Sequence, residues 1–133
     1  MNRVLDRLFI GSAEDLDGAS PLRALGFVAV LDLRDGATFQ EAGVDVLSLD
    51  NRDGDPWTPA QVGGAIQFLL DRVRLGRVLV ACAAGKSRSA SMVIGYLVRV
   101  GWDLPSAFAH LKAVRPEVAP VQKMLASVLA VVS

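Results

Sequence analysis

Four short apolar runs, at residues 8–11, 27–33, 44–49 and 77–82, alternate along the chain with stretches of helical spacing, and this alternation limits the fold more than any other feature. Strands that recur between helices build a mainly parallel, buried sheet. The expected fold class is therefore α/β, with a short, mainly parallel central sheet flanked by helices. At 133 residues, 52% of them apolar, the chain has enough material for one core and too little for two typical domains.

The helices can be placed from their ends. Residues 21–25 read as a short helix closed by Gly26, since glycine is the usual exit through a left-handed conformation. Thr58-Pro59-Ala60-Gln61 is the clearest helix start: Thr58 caps, Pro59 lacks only an N–H the first turn does not use, Gln61 completes a capping box, and Trp57 can staple onto Val62. That helix is expected to reach about Arg74. Others are expected from just after Ser89 to near Gly101, over 104–114, and over 121–131 once Pro116 and Pro120 have broken the chain. The Gly- and Asp-rich stretch 50–56 is a loop, and in α/β folds such loops carry function.

Charge narrows the range of partners. Fourteen basic residues balance fourteen acidic ones, so no overall field favours nucleic acid or an anionic membrane, and an anion has to be recognised at a local site. Residues 1–9 alternate charged and apolar side chains, unlike a signal peptide, and no apolar run approaches the roughly 20 residues a membrane span needs. Cys82 is the single cysteine, so an internal disulfide is impossible and a reducing, cytoplasmic location is expected.

The run Arg77-Val78-Leu79-Val80 leads into Cys82-Ala83-Ala84-Gly85-Lys86-Ser87-Arg88 and then into the helix that begins Ser89-Ala90-Ser91. Strand, small-residue loop and helix N-terminus in that order form a cradle where backbone N–H groups converge on one anion, helped by the helix dipole. Ala83, Ala84 and Gly85 let the backbone close around a phosphate, Lys86 and Ser87 complete the loop, and Arg88 can clamp two oxygens with its planar fork. The same donors favour thiolate. Free cysteine has a pKa of about 8.5, and electropositive helix N-termini lower it to roughly 3.5–7.5. Cys82 is thereby placed to attack phosphorus, with Arg88 and the N–H groups on the equatorial oxygens and the Ser89 hydroxyl helping sulfur to leave afterwards.

Cys82-x5-Arg88-Ser89 resembles the signature of the cysteine-dependent protein phosphatases, and its surroundings resemble the dual-specificity branch of the protein tyrosine phosphatase superfamily. The resemblance covers nearly the whole chain, 1–133: Leu8-Phe9-Ile10-Gly11-Ser12 is similar to that branch's opening strand, 28–33 to its second strand, Gly95-Tyr96-Leu97 to its post-loop helix, and Arg115-Pro116-Glu117-Val118-Ala119-Pro120 to its turn into the last helix. It implies a phosphomonoester hydrolase acting on phosphorylated protein or a small phosphomonoester, as a monomer, without cofactor or metal. It also implies an aspartic acid on a separate loop that protonates the leaving oxygen. Aligning Thr58 with the family's helix cap makes that residue Asp53, with Asp50 and Asp55 as rivals. Two departures stand out: Ala81 replaces the histidine that normally precedes the nucleophile, and Val121 replaces an asparagine. Ala81 leaves a second reading open, a catalytically impaired pseudophosphatase that binds phosphorylated partners.

A lone cysteine is by default a core thiol, but Gly85, Arg88 and Ser89 in register favour chemistry. Gly85-Lys86-Ser87 matches the end of a nucleotide-binding G-x4-G-K-[ST] loop, yet Val80 stands where its first glycine belongs. Asp55-Pro56-Trp57 carries the tryptophan-proline-aspartate letters of tyrosine-specific phosphatases in reverse order, so Trp57 is read as a staple. His110 is expected on a solvated helix face, and Arg115 in capping or surface pairing, with a second-phosphate site at the pocket mouth as its alternative.

Overall fold

The computed structural model describes residues 1–36 and 39–133 as one small α/β domain. Five strands, β1 (Asn2–Arg3), β2 (Leu8–Ser12), β3 (Phe27–Asp32), β4 (Asp45–Ser48) and β5 (Arg77–Cys82), form a sheet in the order β1-β2-β5-β3-β4. All neighbours are parallel except β1 with β2. β5 lies in the middle, paired to β2 on one side and β3 on the other, and its residues from Val78 to Cys82 are all buried, which explains its unbroken apolar run.

Helices α2 (Pro59–Arg72), α3 (Arg88–Arg99), α4 (Leu104–Val114) and α5 (Gln122–Val132) contribute to the main core on one face, with Leu8, Ile10, Ala29, Leu31, Val78, Val80 and Cys82 of the sheet. α3 is buried along ten consecutive residues, from Arg88 to Leu97, because α2, α4, α5 and the sheet all pack on it. Gly95 makes the approach of α5 possible: a Cβ there would run into the Val128 side chain. The other face carries a smaller cluster, Leu16, Leu22, Phe27, Val30, Val44, Leu79 and Ala81, covered by the short helix α1 (Ala13–Leu16) and a 3₁₀ turn (Arg23–Leu25).

The expected elements are present, most within two residues of their expected ends. Gly26 leaves the 3₁₀ turn at φ 88°, and the Thr58 capping box is formed in both directions, Gln61 N to Thr58 Oγ1 at 3.2 Å and Thr58 N to Gln61 Oε1 at 2.9 Å. Trp57 and Val62 are both buried in the main core. β1 and α1 add to the elements expected from the sequence. His110 is half-buried rather than solvated: its Nε2 lies 2.7 Å from the Val4 carbonyl and its ring packs on Trp102. Among the described residues, no helix is long and apolar enough to cross a membrane.

Candidate active site

β5 ends at Cys82, and α3 begins at Arg88, so the five residues between must turn the chain in the space of one loop. Gly85 does so at φ 67°, a conformation L side chains rarely adopt, and a Cβ there would meet Arg115 Nη2 at 2.5 Å and the Gly11 carbonyl at 2.7 Å. The loop therefore wraps back toward the strand end and brings its N–H groups over the sulfur.

Cys82 is 2% exposed, and its Sγ lies 3.2 Å from Ser89 Oγ. Burial alone would push the thiol pKa up. The Ser89 hydroxyl and the backbone N–H groups of Ser89, Gly85 and Ser87 outweigh it and hold the thiol below its ordinary range. Arg88, 6% exposed, donates from Nη1 to the Asn51 carbonyl at 2.9 Å, while its buried Nε–H has no protein partner among the described residues. An unsatisfied buried donor costs about 1–3 kcal/mol, more when charged, so this one is suited to an anionic acceptor.

The Asn51 contact ties the aspartate-rich loop to Arg88 at the end of the 82–88 loop. Asp53 and Gly54 occupy the centre of a turn closed by Asp55 N to Arg52 O at 3.1 Å, with Gly54 at φ 96° and Asn51 Nδ2 bonded to the Asp55 carbonyl. Gly54 N donates to the Met124 thioether at 3.2 Å, and the Ser87 hydroxyl approaches the same sulfur at 3.8 Å, so α5 touches both loops. The three aspartates are not equivalent. Asp50 accepts from Gly36 N at 2.8 Å, and that bond, with a smaller contribution from Asp35, lowers its pKa, which suits a loop anchor better than a proton donor. Asp53 is exposed at the turn apex, with no side-chain bond of this kind among the described residues.

Ala81 points away from Cys82, into the small cluster on the opposite sheet face, and is fully buried there. Its cross-strand neighbour Asp32 is also buried and gripped by Arg34, Nε to Oδ1 and Nη2 to Oδ2, each at 3.0 Å. The four donors that lower the Cys82 thiol come from residues 85–89, and none is supplied by the side chain at position 81.

Arg115 is the C-cap residue of α4, as one of its expected uses had it, and its side chain turns inward rather than pairing at the surface. It is 8% exposed and donates from Nε to the Gly85 carbonyl at 2.8 Å, from Nη1 to Asn2 Oδ1 at 2.7 Å and from Nη2 to the Ala84 carbonyl at 3.4 Å. A guanidinium with backbone carbonyls to satisfy is driven inward by partners remote in sequence. Asn2, Asn51 and Met124 were missed for the same reason. A separate cavity of about 530 Å³, lined by Gln40, Glu41, Ala42, Val44 and Val46, lies at the β4 edge and shares no residue with the 82–88 loop.

A mainly parallel sheet whose central strand delivers a buried thiol into a loop of converging N–H groups is the arrangement of a phosphatase domain of the protein tyrosine phosphatase type. The family model for the dual specificity phosphatase catalytic domain matches residues 8–132, and the chain belongs to that family. Dual specificity protein phosphatase 22-A of Danio rerio is 30% identical over 125 residues, an alignment that takes in 90% of this chain and 59% of that protein's length. The crystal structure of human DUSP28 superposes with a TM-score of 0.88 at 27% identity, covering 98% of this chain and 94% of that one. That of the human tyrosine phosphatase-like serine/threonine/tyrosine-interacting protein does so with a TM-score of 0.85 at 25% identity, covering 98% and 93%.

Proposed function

We propose that residues 1–133 act as a phosphatase catalytic domain that hydrolyses phosphomonoesters, phosphotyrosine or dual-specificity protein sites foremost, through a phosphate ester on Cys82. The observation that carries this reading is the environment of the thiol, held below its ordinary range by the Ser89 hydroxyl and three loop N–H groups despite near-complete burial. In the first step Cys82 thiolate attacks phosphorus in line, the S–P bond forms and the ester P–O bond breaks, and Asp53 gives its proton to the departing oxygen. In the second, water attacks phosphorus, Asp53 takes up its proton, and the S–P bond breaks with Ser89 donating to the thiolate. Arg88 and the N–H groups of residues 83–88 hold the equatorial oxygens throughout.

A second reading is favoured by one feature, Ala81 in place of the family's usual histidine: a module that binds phosphorylated partners without turning them over. Steady-state hydrolysis of a small aryl phosphate across pH 5 to 8, without added metal, separates the two. Turnover by this chain, none by Cys82→Ser, and loss of the alkaline limb in Asp53→Asn are the expected results. An inert chain that still binds vanadate would give the binding module the stronger case, and an unaltered profile in Asp53→Asn would move the acid to Asp55.

A further inference from the structure

Four consecutive carbonyls of the loop are bonded from outside. Ala83 O accepts from Ala13 N at 3.1 Å and Lys86 O from Ala119 N at 2.7 Å, while Ala84 O and Gly85 O accept from Nη2 and Nε of the single residue Arg115. In a planar trans peptide the C=O of one residue and the N–H of the next point in opposite directions. Anchoring these carbonyls outward therefore turns the N–H groups of Ala84, Gly85, Lys86 and Ser87 inward. Two of those, Gly85 and Ser87, are among the donors that lower the Cys82 thiol.

We propose that Arg115 is a positioning residue for the reaction: it fixes the orientation of the 84–85 and 85–86 peptides, and so sets both the thiolate character of Cys82 and the affinity of the loop for a phosphoryl group. The Nε bond at 2.8 Å is the stronger of its two grips on the loop and the Nη2 bond at 3.4 Å the weaker. Asn2, on the antiparallel edge strand, holds the remaining arm of the guanidinium at 2.7 Å, so β1 acts on the loop through Arg115. Gly85 belongs to the same device, because a side chain there would occupy the position of Arg115 Nη2. Released from Arg115, the 84–85 peptide is free to rotate, and its N–H no longer has to face the sulfur.

The inference rests on the Cys82 reading, and its test uses a signal that needs no turnover. The rate of Cys82 alkylation by iodoacetamide near pH 6 follows the thiolate fraction, and Arg115→Ala is expected to lower it about tenfold, with a parallel loss of orthovanadate affinity. Added methylguanidinium should restore part of both, which a general loosening of the fold would not allow. Asn2→Ala, which leaves both carbonyl bonds in place, should shift alkylation in the same direction by less, and it carries the test if Arg115→Ala does not fold. Folded variants that alkylate and bind vanadate like the unaltered chain would overturn the role of Arg115 alone. An ordinary thiol profile in the unaltered chain would instead overturn the Cys82 reading beneath it.

Discussion

Replacing Ser89 by alanine should separate the two chemical steps. Ser89 is fully buried with its hydroxyl 3.2 Å from Cys82 Sγ, and of the groups that lower the thiol it is the largest contributor, ahead of three backbone N–H groups. In the proposed mechanism breakdown of the phosphocysteine regenerates thiolate, so the hydroxyl is worth most in that step's transition state. A hydrogen bond to a charged group contributes about 1.5–3 kcal/mol, which is roughly a 10- to 150-fold change in rate. The backbone donors of Ser89, Gly85 and Ser87 remain in the variant, which places the expected slowing toward the lower end of that range. Formation of the ester starts from thiolate and is affected less. Stopped-flow mixing of Ser89→Ala with an aryl phosphate should therefore give a burst of phenol equal to the enzyme present, then a slow steady rate. A steady rate equal to that of the unaltered chain, with no burst, would refute the assignment of the hydroxyl to the leaving sulfur.

Other consequences are equally concrete. Because folding lowers the Cys82 pKa, the group stabilises the fold fully above the unfolded thiol's value of about 8.5 and loses this contribution as pH falls through the folded value. Urea titrations should accordingly show this chain gaining on Cys82→Ala between pH 6 and pH 9, and a constant difference would contradict the lowered pKa. Ala81→His, which restores the residue expected from the family resemblance, forces an imidazole into the buried cluster beside Leu16, Leu22, Val30 and Asp32. It should cost about 1–3 kcal/mol, read as a lower urea midpoint, and an unchanged midpoint would show that the cluster is not packed as described. Val121 occupies the N-cap of α5 in an extended conformation with no side-chain acceptor, so Val121→Asn should stabilise the domain by about 1 kcal/mol, and a lower melting temperature would show the cap geometry to be unsuitable.

What could be read from the sequence was local. The central strand β5 announces itself by the five apolar residues that follow Arg77, and the start of α2 by the Thr58 and Gln61 pair, whose mutual bonds are set by neighbours in the chain. Cys82, Gly85, Arg88 and Ser89 lie within eight residues, so their convergence is also a local property. What escaped depends on contacts between distant segments. β1 is two polar residues long and exists because β2 offers an edge. Arg115 reads as a surface arginine until the Gly85 carbonyl, thirty residues away in sequence, draws it inward. Asn51 acts through its backbone carbonyl, which carries no side-chain signature at all. The separation of Asp50 from Asp53 likewise required a partner, Gly36, that only the fold supplies.

The central claim is a phosphate ester on sulfur, and rapid acid quenching followed by peptide mass analysis tests it most directly. With Ser89→Ala and excess aryl phosphate, the account predicts one phosphoryl group per chain, located on Cys82 and absent from Cys82→Ser. Release of phenol with no phosphoryl group on Cys82, or with the group on another residue, would contradict it.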